Sequence, residues 1–188
     1  MDGIISTDNR EDGVNMIMLY DNEEIGSRSK QGAGSNLIEL ILRAMFVGNG
    51  LSEGQFLQTI AHSMYLSVDG GHAMHPNVPE KADPTYKAFL GGGVLLKTNG
   101  NQRYATDAEV TGAVKQLMDK WDVPYQVAID RSDMTGGSTL GPILSATLPM
   151  KGVDMGIPML AMHSPREMAA GSDYEALKKT IHAFFAEK

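Results

Sequence analysis

The sequence predicts a single α/β domain on a largely parallel or mixed sheet, and three observations lead there. Short apolar runs of strand length recur at 14–20, 64–69, 93–98, 125–129, 152–155 and 158–162. Between most of them lie segments whose apolar residues recur at helical spacing. Pairs of the kind Ser/Thr-x-x-Glu/Gln, which open helices by reciprocal capping, stand at Ser52/Gln55, Thr106/Glu109 and Ser172/Glu175. Strands alternating with helices build α/β layers. The 188 residues suit one domain of ~100–200 residues. No linker or composition break divides them, so the domain is 1–188.

Each element has its own signal. Residues 1–13 are a polar, acidic lead-in, and 14–20 is the first strand. Ser35 caps a helix running through Phe46, with Leu37, Ile38, Ile41, Leu42 and Met45 on one stripe. Ser52 opens a second helix ending near His62, where a histidine suits the C-terminal end of the helix dipole. After the 64–69 strand comes a loop, 70–92, rich in Gly and Pro; loops beyond ~12–15 residues in compact domains are usually functional or disordered. Thr106 opens a helix to about Trp121. Beyond the strand at 125–129, a helix begins near Thr139, with Pro142 in its first turn where a missing N–H costs least. In the final helix Tyr174, Leu177, Ile181, Phe184 and Phe185 form the expected inner face.

Composition narrows the function. The net charge is −7 with no basic cluster, which argues against nucleic acid or anionic membrane partners. There is no cysteine, so disulfides and thiolate metal sites are excluded, and the chain fits a reducing, cytoplasmic compartment. No apolar run reaches the ~20 residues of a membrane span, and the polar N-terminus is not a secretory signal.

The chemistry gathers at strand ends. Asp21-Asn22-Glu23-Glu24-Ile25-Gly26-Ser27 follows the first strand, and open α/β sheets place their sites beyond strand carboxyl ends. If the chain turns at Asn22, one carboxylate can bind a metal while the other handles a proton; otherwise the pair is a solvated acidic loop capping the next helix. Asp69 ends the 64–69 strand and His163 follows the 158–162 strand. Glu, Asp and His are ligands suited to zinc, manganese or cobalt.

Four stretches in order, DNEEIGS, SVDGGHAMHPN, RSDMTGGSTLGPI and PMLAMHSPRE, resemble the aspartyl aminopeptidase family of co-catalytic two-metal peptidases. The likeness runs from about Tyr20 to the C-terminus. It implies a three-layer α/β/α, zinc-aminopeptidase-like fold and removal of N-terminal Asp or Glu from peptides. It also implies two divalent ions, Zn²⁺ foremost with Co²⁺ or Mn²⁺ as substitutes, and a large closed homo-oligomer, often of twelve subunits. By match, Glu23 is the general base, Glu24 and His163 are ligands of one metal, and Asp69 is a ligand of the other. His75 matches a histidine lent to a neighbouring subunit's site, where it stabilises an oxyanion. Lys97 matches a basic residue that meets the substrate's acidic side chain, and His72 is a further substrate-binding candidate. The Gly136-Gly137 turn, before a helix N-terminus, can present N–H groups to a carboxylate or oxyanion, while Arg131 and Asp133 are expected to hold that loop.

One departure is expected to matter. The family's bridging aspartate and a further histidine lie well before the Glu-Glu pair, as does an inserted second domain. Here 22 residues precede Glu23, Asp8-Asn9-Arg10 is too close to be the bridging motif, and no histidine precedes His62. The resemblance therefore implies the C-terminal part of a catalytic domain, weakly active or inactive by itself. The alternatives are a non-catalytic, self-assembling or peptide-binding remnant, and a metalloaminopeptidase of different specificity.

Overall fold

A computed structural model of the chain describes residues 1–7, 13–131, 133–134 and 137–187. Its elements open with α1 (Asp2–Ile5), α2 (Leu37–Gly48), α3 (Glu53–His62), β1 (Met64–Val68), β2 (Gly71–His72) and β3 (Val94–Thr98). They continue with α4 (Ala108–Lys120), β4 (Tyr125–Ile129), α5 (Leu140–Thr147), β5 (Lys151–Gly156), β6 (Pro158–Leu160), β7 (Met168–Ala169) and α6 (Gly171–Ala186). The main sheet is mixed, in the order β1-β5-β3-β4. β1 runs parallel to β5 and β3 parallel to β4, while β3 and β5 meet antiparallel. A smaller sheet, β2-β6-β7, pairs β2 parallel to β6 and β6 antiparallel to β7.

The period of two along each strand sorts its residues between the faces. Val94 and Leu96 of β3 and Val153 and Met155 of β5 join Val110, Val114 and Met118 of α4 and Ala176 of α6 in one buried cluster. Each Val, Leu or Met among them contributes about 1.5–3 kcal/mol on full burial. Leu95, Lys97 and Asp154 alternate to the opposite face, where Asp154 meets Gly141 of α5 and Leu95 meets Gly71. The sheet is thus covered by helices on both sides. A second cluster, Ile38, Phe56, Ile60 and Leu148, binds α2 and α3 together, with Phe46 and Phe56 edge to face at 5.3 Å. No described helix is long and apolar enough to cross a membrane.

Five expectations need correction. Residues 14–20 are not a strand: among the described residues no ladder partner lies beside them. Met16, Met18 and Tyr20 instead pack on the second cluster. The apolar pattern reported burial, but a strand also needs a neighbour to take up its backbone groups. Asp107, not Thr106, caps α4, accepting from Glu109 and Val110 N–H, while Thr106 Oγ1 donates to the Lys97 carbonyl at 2.8 Å. Ser172 does not cap α6. The buried face of α6 is Asp173, Ala176, Thr180 and Ala183, with the expected Leu177 half-buried against the first cluster; of the expected residues Tyr174 is exposed, because Asp173 turns inward to bind the 91–93 backbone. β6 ends at Leu160, since Ala161 enters the left-handed region at φ 56°.

Candidate metal centre

The Glu23-Glu24 pair sits on a short 3₁₀ turn, Glu23–Ile25, bounded by two left-handed residues, Asn22 (φ 62°) and Gly26 (φ 96°). The chain does turn at Asn22, and Asn is among the few residues that tolerate this region. Its side chain is held by Ser29 Oγ at 2.7 Å and Gln31 Nε2 at 2.8 Å, and its carbonyl accepts from Ser27 N–H at 2.8 Å. Gly32 closes the loop by close approach, for a Cβ there would lie 2.3 Å from the Ser27 carbonyl oxygen. The turn does not cap the next helix, whose N-cap is Asn36.

His163 lies in the loop joining β6 to β7, and it too is left-handed, at φ 68°. Its N–H donates to Glu167 Oε1 at 2.6 Å. The ring reaches across to the other loop: His163 Nε2 stands 2.8 Å from Glu24 Oε2, both side chains largely exposed. Glu23, half-buried beside them, feels Asp69, Glu24, His163 and Lys97. Burial first, then Asp69 and Glu24, raise its carboxyl above the ordinary range, while His163 and Lys97 pull it back.

Asp69 directly follows β1, and its N–H donates to the Met155 carbonyl at 2.9 Å. Its side chain meets Lys97 Nζ at 3.4 Å. Lys97 is 2 % exposed, and its ammonium also donates to the Gly70 carbonyl at 2.5 Å and lies 5.5 Å from the Tyr104 ring centre. Beneath is Asp154, fully buried, accepting from Ala105 N–H at 2.5 Å.

The remaining candidates are exposed or lie outside the described residues. His72, on β2, is exposed. His75 is exposed in the following loop, where its Nδ1 accepts from Asn77 N–H at 3.2 Å. Gly137 is exposed with open space around it; Gly136 and the stretch Asp8-Asn9-Arg10 lie outside the described residues. Arg131 holds its loop as expected, gripping Asp133 at 2.8 and 2.5 Å and the Glu80 carbonyl at 2.6 Å. Sequence reasoning missed Asp154 and Glu167. Asp154 had a signal, as a lone carboxylate inside the apolar run 151–156; Glu167 had one as well, closing the stretch PMLAMHSPRE four residues after His163.

A carboxylate oxygen beside an imidazole nitrogen is a donor set zinc accepts. Among the described residues no group of three or more Asp, Glu and His side chains converges where a metal ion could be held. The pair therefore fits two ligands of such a centre and falls short of the three that catalytic zinc takes from protein.

The α/β fold thus brings an imidazole–carboxylate pair together with an adjacent glutamate. Residues 1–185 match the family described as Aminopeptidase I zinc metalloprotease (M18), and the chain belongs to that family. It is 38 % identical over 181 residues to a probable M18 family aminopeptidase 2 of Clostridium novyi, covering 96 % of this chain and 42 % of that one. It is 42 % identical over 176 residues to an aspartyl aminopeptidase of Caenorhabditis elegans, covering 93 % and 37 %. Among solved structures, the Ape4–Nbr1 complex superposes at TM-score 0.81 with 37 % identity, over 86 % of this chain and 31 % of that chain. The S. cerevisiae mApe1 dodecamer superposes at 0.75 with 29 % identity, over 88 % and 36 %. The chain spans about two-fifths of the length of the curated relatives it matches.

Proposed function

We propose that this chain carries one half of the site of a metal-dependent aminopeptidase that removes acidic N-terminal residues. The observation that carries the reading is the 2.8 Å approach of His163 to Glu24, with Glu23 alongside, in a member of a zinc metallopeptidase family. A divalent cation held at such a pair would supply an acidic water and polarise a carbonyl. Glu24 and His163 would hold it, and Asp69 would help hold a second cation. Glu23 accepts the proton of the attacking water at its carboxylate, a task suited to a carboxyl held above its usual range. Lys97 supplies positive charge near the site for an acidic substrate side chain, and its burial against Gly70 and Asp69 fixes that charge in place. His75 is assigned by family match to the oxyanion in a neighbouring subunit's site, His72 is a further substrate-binding candidate, and the Gly136-Gly137 pair is assigned to substrate from its place in the sequence before a helix N-terminus. The likeness to an aspartyl aminopeptidase supports acidic specificity, and the likeness to a dodecamer supports a homo-oligomer. Such an enzyme would work in the cytoplasm.

With two ligands at one metal position and one at the other, the chain by itself turns over substrate weakly or not at all. The test is hydrolysis of aspartyl and glutamyl chromogenic substrates with added Zn²⁺, Co²⁺ or Mn²⁺, beside Glu23→Gln. Near-background rates in both proteins are expected. Robust turnover lost in Glu23→Gln would overturn the half-site reading while upholding the base; robust turnover untouched by that change would overturn the base. The two-ligand set also favours a second reading, a non-catalytic chain that assembles or binds peptide, which predicts no specific metal uptake.

A further inference from the structure

We propose that Glu167 is the positioning residue of His163, acting through the backbone to aim the imidazole at Glu24. The left-handed region is unfavourable for any residue with a Cβ and persists only where its surroundings enforce it. The β6–β7 loop holds two such residues, Ala161 at φ 56° and His163 at φ 68°, so something must hold it. Part of the restraint is local. Ser164 N–H donates to the Ala161 carbonyl at 2.9 Å, and Arg166 N–H to Ser164 Oγ at 3.0 Å. The His163 N–H points elsewhere, to Glu167 Oε1 at 2.6 Å. Glu167 itself stands on firm backbone, since the next residue, Met168, pairs with Leu160 across the hairpin.

A charged acceptor on a backbone N–H is among the stronger hydrogen bonds. It fixes the peptide plane from which the His163 side chain departs and hence the path of the ring toward Glu24. Outer groups of this kind orient ligands, and their loss typically weakens metal affinity 10–100-fold. Glu167 is exposed, so replacing it leaves the core intact.

The inference rests on reading Glu24 and His163 as metal ligands, and two measurements keep the claims apart. Hydrogen exchange at the His163 amide, followed by NMR in the metal-free chain, reports the restraint; Zn²⁺ affinity, from competition with a chromophoric chelator, reports its consequence. In Glu167→Ala, exchange is expected to quicken at least about 10-fold and Zn²⁺ binding to weaken about 10–100-fold. Glu167→Gln keeps an acceptor oxygen and should stay close to the parent in both. Unchanged exchange in Glu167→Ala overturns the proposal, as does faster exchange with undiminished Zn²⁺ affinity. Failure of the parent to bind Zn²⁺ overturns the metal reading alone; the restraint on His163 then stands or falls by exchange.

Discussion

His163 Nε2 lies 2.8 Å from Glu24 Oε2, and the two side chains are 64 % and 69 % exposed. Exposed ion pairs contribute about 0–1 kcal/mol, and many contribute nothing measurable. The pair is therefore expected to matter for binding and hardly at all for folding. Glu24→Gln and His163→Ala should each unfold within about 1 kcal/mol of the parent in urea. A larger loss would show that the contact is structural.

Gly156 and Asp69 meet backbone to backbone: a Cβ at Gly156 would lie 1.5 Å from the Asp69 carbonyl oxygen. No side chain can swing away to relieve that clash. Gly156→Ala should cost about 3 kcal/mol, at the upper end of overpacking penalties, and should shift the Asp69 and Gly70 amide resonances. Wild-type stability with unshifted Asp69 would contradict this placement of the end of β1.

Asp173 is fully buried and accepts from Gly91 N–H at 2.7 Å and Gly93 N–H at 2.8 Å. Asp173→Ala leaves both donors without their acceptor, and the expected loss is about 3 kcal/mol. Asp173→Asn retains one acceptor and should lose less. Urea midpoints of the two variants decide it, and equal stabilities would contradict the capping role.

Asp154 gives the chain a pH signature. Burial raises its carboxyl above the ordinary aspartate range, and Ser67, Thr139, Ala105 N–H and Lys97 pull it back. A group whose folded pKa is raised adds stability below its unfolded value and loses it as pH rises through the folded value. The parent should therefore lose ground to Asp154→Asn as pH climbs from about 4, the ordinary aspartate value. Melting curves of both proteins from pH 4 to 7 test this; a constant gap between them would contradict it.

The alternation of strands and helices was legible because core positions repeat with the element's own period, as Val94 and Leu96 do against Leu95. The direction of pairing was not, since the β3–β5 antiparallel contact leaves no mark on either strand. Residues 14–20 misled because burial of alternate residues resembles a strand whether or not a neighbour exists. Thr106 and Asp107 are both capable caps, and only the backbone geometry decides between them. Asp69 and His163 were singled out as residue types following strands, Glu23 and Glu24 as a pair behind an expected strand that did not form, and all four by family resemblance. The family resemblance already joined Glu24 and His163 at one metal and the turn at Asn22 was anticipated, but residue types alone did not pair them, and the left-handed turn at His163, where no glycine stands, gave no warning. Lys97 was legible as a candidate, but not its burial, which follows from Gly70 and Asp69 folding over it.

The most direct test of the account is a Zn²⁺ titration of the parent chain beside Glu24→Gln and His163→Ala. The account predicts saturable binding of one equivalent per chain in the parent, lost or weakened at least about 10-fold in each variant, since each removes one of the two ligands. No saturable binding in the parent, or equal binding in all three proteins, would contradict it.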